Sequence, residues 1–124
     1  MVFVFGSNEA GIHGAGAARA AYDQHWAEWG VGFGRTGNSF AIPTKDFDIH
    51  TLPIDTIARY VGSFIAYAHQ HPELTFQVTR IGCGLAGFKD AEMTPLFKTA
   101  PSNCHFDEAW KPWLDGERNY WGTY

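Results

Sequence analysis

Two stretches of this chain carry residues suited to holding an anion. The first is Gly6-Ser7-Asn8, followed beyond Gly11 and His13 by Gly14-Ala15-Gly16-Ala17. The second is Ile81-Gly82-Cys83-Gly84-Leu85-Ala86-Gly87-Phe88, entered through Arg80. Glycine-rich backbone lets several N–H groups converge on one point, and a nest of N–H groups or a helix N-terminus attracts phosphate. The structural alternative is that these glycines only make tight turns. A third candidate is Thr44-Lys45, at the end of the apolar run Ser39 to Pro43. Arg35 is the one permanent cation in the glycine-dense stretch 30–38, placed there as a surface residue or as a phosphate or carboxylate contact.

The elements that must position these groups follow from residue pattern. Val2 to Phe5 has the length and residue types of a buried strand. Ala17 to Trp29 is predicted helical, with Ala18, Tyr22, His25, Trp26 and Trp29 on one face and Gly30 as its C′ residue. Residues 30–38 read as a short ribbon turning at Thr36-Gly37-Asn38, or as a mobile loop. Ser39 to Pro43 is a strand. Pro53 suits a first helical turn, and Ile54, Ile57, Val61, Phe64, Ile65 and Ala68 recur at helical spacing up to His69, before Pro72. Glu73 to Thr79 alternates as a strand does. Lys89 to Ala100 is a short helix with Pro95 in its first turn or breaking it. Asn103 to Phe106 is read as the last strand.

Strands alternating with helices imply an α/β fold, a three-layer α/β/α arrangement on a mostly parallel mixed sheet. Ligands of such sheets gather at the carboxyl ends of strands. Both glycine loops and Lys45 would then share one rim. Residues 1–106 form the α/β domain. Residues 107–124 form an aromatic tail with Trp110, Trp113, Tyr120, Trp121 and Tyr124, expected to pack on the same domain or to offer a contact surface for a homo-oligomer.

Composition narrows the function classes. At 124 residues, 45% hydrophobic and 18% charged, the chain fits one compact domain rather than a disordered segment. A net charge of −4 argues against a broad nucleic-acid surface. Cys83 and Cys104 match neither a metal spacing nor a disulfide framework, and read as small buried residues in a reducing interior. The six histidines are scattered and His69 and His71 do not share a helix face, so no metal site and no cofactor is expected. With no membrane-length apolar run and no signal-like leader, the expected location is the cytoplasm.

The two loops together resemble those of the macro domain, the ADP-ribose-binding family. Asn8 followed six residues later by Gly14-Ala15-Gly16 is similar to the spacing of that family's first loop, and Ile81 to Phe88 to its phosphate-gripping second loop. Thr44-Lys45 and Gly82-Cys83-Gly84-Leu85 resemble most the branch of terminal ADP-ribose protein glycohydrolases, and more loosely small macro-like proteins of phages and mobile elements. The resemblance runs over residues 2 to 106. It implies a truncated macro-like fold and, as ligand, an ADP-ribose-type nucleotide, free or on an ADP-ribosylated macromolecule. The contacts it implies are Gly6, Ser7, Asn8, His13, Gly14 to Ala17, Arg35, Thr44, Lys45 and Ile81 to Phe88, with Asn8 on the distal ribose.

Departures from the pattern bear on activity. Ala86 stands where the glycohydrolase branch has an acid after Gly-Cys-Gly-Leu, and Ala18 where related hydrolases place an aspartate. Lys45 is the catalytic candidate by resemblance, but without those acids it loses its proton-transfer partner, unless Asp46 or Asp48 substitutes. The Gly-Asp segment that holds adenine in the family has no counterpart ahead of Val2, so adenine recognition is expected to differ, with Phe33, Phe88 or a tail tryptophan as stacking candidates. The first reading is a module that reads or sequesters an ADP-ribose-type nucleotide. The alternatives are an ADP-ribosyl hydrolase using Lys45, and a non-enzymatic interaction protein whose glycine loops are structural.

Overall fold

The computed structural model describes residues 1–123, so Tyr124, one of the tail aromatics, lies outside the described residues. The strands are β1 (Val2–Asn8), β2 (Gly34–Thr36), β3 (Ser39–Lys45), β4 (Phe76–Val78), β5 (Cys104–Asp107) and β6 (Asn119–Gly122). The helices are α1 (Gly16–Gln24), α2 (Ile54–Gln70) and the single turn α3 (Asp90–Met93), with 3-10 turns at Thr94–Phe97 and Glu108–Trp113. One six-stranded sheet runs β2-β3-β1-β4-β5-β6. All neighbours are parallel except β2 with β3, which form the short ribbon turning at Gly37.

Alternation along the central strands assigns the layers. Val2 and Val4 of β1 and Phe40 and Ile42 of β3 face α2, through Ile57, Val61, Phe64, Ile65 and Ala68, in the larger core. Phe3, Phe5 and Ala41 face the other way, against Ala18 and Ala21 of α1 and Ala27. Period-two side chains buried on both sides make β1 a near-continuous apolar run, as a central parallel strand requires. α2 carries its apolar stripe at the expected positions, and each fully buried phenylalanine there contributes about 1.5–3 kcal/mol by area removed from water. The result is a three-layer α/β/α arrangement on a mostly parallel mixed sheet.

Strand bounds shift, with β1 running on to Asn8 and β4 keeping only Phe76–Val78 of the expected Glu73 to Thr79, and three further elements differ from the sequence reading. α1 ends at Gln24 rather than Trp29, because His25 leaves the helix to stack flat on Phe3, 4.2 Å between ring centres, and Trp26 turns to φ 61°. The aromatic face expected of this helix is therefore not its buried one. Ala18 and Ala21 are buried, and Tyr22, Trp26 and Trp29 are exposed. In segment 89–100, the α-ladder gives way at Met93 to a 3-10 turn whose first turn holds Pro95, which has no N–H to donate. The tail does more than pack on the domain. Trp110 is fully buried in the larger core, and β6 extends the sheet beyond β5, so Asn103 to Phe106 is not the last strand.

Candidate functional site

The chain leaves β1 through α1 to reach β3 on one side, then crosses back through α2 to reach β4 on the other. With α1 and α2 on opposite faces, the carboxyl ends of β1 and β4 flank the point where the strand order reverses. Connections splay apart there and leave a crevice. A cleft of about 510 Å³ occupies this position, within the size range of small-molecule sites. Gly6, Ser7 and Asn8 enter it from β1, Thr44 and Lys45 from β3, and Thr79 and Arg80 from the end of β4. The β1–β3 register slips between Ser7 and Asn8, which sets Asn8 beside Lys45.

The first loop is closed by its own asparagine. The Asn8 side-chain amide donates to the Ile12 carbonyl at 2.8 Å, and the Ile12 N–H donates to Asn8 Oδ1 at 2.9 Å. Behind the loop, segment 30–32 makes contacts that only glycine permits. A Cβ at Gly11 would lie 2.3 Å from the Gly30 carbonyl carbon, and one at Gly32 would lie 2.2 Å from the Asn8 carbonyl oxygen. Gly14 and Gly16 differ, because a Cβ at either would meet open space. They line the cleft with Ala15 and Ala17, where α1 begins on an extended Ala15 with no side-chain cap. The first N–H groups of a helix are donors without intrahelical acceptors.

The second loop is braced from behind. Gly82, at φ 80°, faces the Met93 side chain, which a Cβ would approach to 2.9 Å. Arg80 forms a two-bond ion pair with Asp90, at 2.9 and 2.8 Å, and Trp110 Nε1 donates to the same carboxylate at 2.8 Å. The Arg80 guanidinium, first, and the indole hold Asp90 below the usual carboxylate range. Burial, then the neighbouring Asp90 carboxylate, pushes the half-buried Cys83 thiol up to about 12, so it stays a thiol and a poor nucleophile. A third loop, 46–51, is tied to the second where Thr51 Oγ1 donates to the Ala86 carbonyl at 3.1 Å, and it presents Ile49 to the cleft.

Most of the residues singled out in the sequence meet here: Gly6, Ser7, Asn8, Gly14 to Ala17, Thr44, Lys45 and Ile81 to Ala86 all line the cleft. Four do not. His13 is buried behind the first loop, edge-on to Phe5 and Trp29, with Nε2 3.0 Å from the Glu28 carbonyl oxygen; burial is the main cause that lowers its pKa. Arg35 pairs with Phe40 on the outer ribbon, five residues before Lys45 and so roughly 16 Å from the rim along the strand. Its guanidinium donates to the Gly37 carbonyl and the Tyr67 hydroxyl. Gly87 and Phe88 turn away from the lining.

The sequence reading missed Ile12, Ala18, Ile49, Thr79, Arg80 and Asp107 as lining residues. Arg80 was legible by the argument used for Lys45, since both follow a strand's carboxyl end. Asp107, at the end of β5, is fully buried and accepts from the Ala109 N–H and the Thr123 hydroxyl. Among the described residues, Asp46, Asp48 and His50 form a group whose ligand-type atoms lie within 4.8 Å of one another. A turn accounts for that grouping, because Asp46 Oδ1 accepts from the N–H groups of both Asp48 and His50. Neither Asp46 nor Asp48 lines the cleft.

No protein-family model, no curated protein and no solved structure matches this chain. No helix among the described residues is long and apolar enough to cross a membrane.

Proposed function

We propose that this chain is a macro domain-like module that binds ADP-ribose or a nucleotide derived from it. The diphosphate rests on backbone N–H groups of the two glycine loops, at the start of α1. The observation that carries the reading is the meeting of both loops and Lys45 in one nucleotide-sized crevice at the strand-order reversal. Lys45 supplies positive charge, and its ammonium has no hydrogen bond or ion pair among the described residues. Asn8 acts chiefly by holding the first loop in shape.

Binding is favoured over hydrolysis by the state of the carboxylates. Asp107 is fully buried with both oxygens engaged, and Asp46 and Asp48 lie outside the lining. Lys45 is thus left without an accessible acid to exchange a proton with. Calorimetry with ADP-ribose tests the reading. Binding is expected in the wild type, accompanied by a ligand-dependent rise in Tm. Gly84→Val should lower the affinity by about tenfold or more while leaving Tm near that of the wild type, because a Cβ at Gly84 meets open space. Absence of binding at millimolar ADP-ribose would sink the reading. Turnover of ADP-ribosylated protein that disappears in Lys45→Ala would replace it with the hydrolase.

A further inference from the structure

Apart from Lys45, the polar side chains of the cleft are already engaged within the protein. Ser7 Oγ lies 3.4 Å from the Asn8 carbonyl oxygen, to which it donates, and Asn8 is committed to Ile12. The Thr44 hydroxyl donates to the Ser7 carbonyl and the Thr79 hydroxyl to the Val4 carbonyl, while Arg80 is held by Asp90. Little side-chain hydrogen bonding is left to read the edge of a base.

The exposed large side chains of the lining have the opposite character. Ile12, Ile49 and Leu85 line the cleft and are 43%, 41% and 74% exposed. They come from three different loops. Ile49 stands at φ 64°, a left-handed conformation that a β-branched residue rarely adopts. The turn that requires it is closed by Asp46 N–H to the His50 carbonyl and Ile49 N–H to the Asp46 carbonyl. Glycine or asparagine would sit there without strain. Strain held beside a ligand cleft points to a side chain retained for what it touches. The lining thus combines the Lys45 charge and the α1 N-terminus with bare aliphatic carbon from three loops, which suits an occupant that is partly anionic and partly apolar.

We infer that Ile12, Ile49 and Leu85 form an apolar clamp on the nucleobase, so that the base is recognised by shape rather than through its hydrogen-bonding edge. This rests on the nucleotide reading above and adds a specificity to it. The ligand class is a nucleoside diphosphate ribose of either purine, adenine or hypoxanthine.

The test is calorimetry with ADP-ribose, inosine diphosphate ribose and base-free diribosyl diphosphate. Hypoxanthine replaces the exocyclic donor of adenine with an acceptor at nearly constant shape. The two nucleotides are expected to bind within about threefold of each other, and the base-free compound about tenfold more weakly. Leu85→Asn and Ile49→Asn should each weaken both nucleotides by about fivefold and leave the base-free compound unchanged, as loss of apolar contact predicts. Ile49→Asn should also raise Tm, since asparagine tolerates the left-handed conformation. A preference of about thirtyfold or more between the purines, equal binding of the base-free compound, or affinities untouched by either substitution would overturn the clamp alone. If none of the three compounds bound, the nucleotide reading would fall and the clamp with it.

Discussion

The two glycine loops do the same geometric job by different means. The first, 8–16, is held by close main-chain packing and by one side chain of its own. Asn8 closes it on Ile12, and Gly11 and Gly32 let strands of main chain touch behind it. The second, 80–88, is held by side chains, through Gly82 against Met93 and through Arg80, Asp90 and Trp110. In both, the glycines divide. Gly11 and Gly82 are needed for packing, whereas Gly14, Gly16 and Gly84 leave open space. A glycine-rich motif is therefore not one signal, because part of it serves the fold and part of it leaves open space along the cleft.

Breaking each loop at its packed glycine should expose the difference. Gly11→Val puts a side chain on rigid backbone at φ 71°, and the expected loss is about 3 kcal/mol or more, with Tm lower by about 10 °C. Denaturant titration measures it, and a loss under about 1 kcal/mol would contradict the account of the first loop. Gly82→Ala meets the movable end of Met93 instead, although it too is strained, at φ 80°. A smaller loss of about 1–2 kcal/mol is expected. If the two substitutions cost the same, backbone and side-chain bracing are not different in kind.

Acid should separate the loops more gently. His13, behind the first loop, and His25, stacked on Phe3, both have pKa values lowered, chiefly by burial. The unfolded chain therefore binds more protons than the native one in the window below the ordinary histidine value of 6.5. Stability is full above that value and falls as pH drops through the folded pKa values. Asp90 is shifted downward from 3.8, chiefly by Arg80, so its contribution persists until pH falls below that range. Between pH 7 and 5, amide protection factors, taken relative to the base-catalysed intrinsic rate at each pH, should fall at residues 12–13 and 28–31 and stay constant at 82–88. An equal loss of protection in both loops would refute the assignment.

Much of the fold was legible in local pattern. α2 has one apolar stripe and a proline at its entry, and the stripe residues Ile57, Val61, Phe64, Ile65 and Ala68 are the buried ones. The cleft was legible to the extent that its residues follow strand ends, which is why Lys45 and both loops were found. Arg35 was misplaced because a cation among glycines says nothing of which end of a strand it occupies. Ile12 and Ile49 were overlooked because an exposed aliphatic residue has no signature in a single sequence, and Leu85 was found only through the resemblance of its loop.

The sequence by itself determined the order of strands and helices and the glycine stretches that interrupt them, because periodicity and turn chemistry act over a few residues. Tertiary structure decided the rest. It ended α1 early to set His25 on Phe3, and it drew the tail into the sheet as β6. It also bound Asn8 to its own loop and sorted the glycines into packed and open. Each of these depends on which distant surface a segment meets.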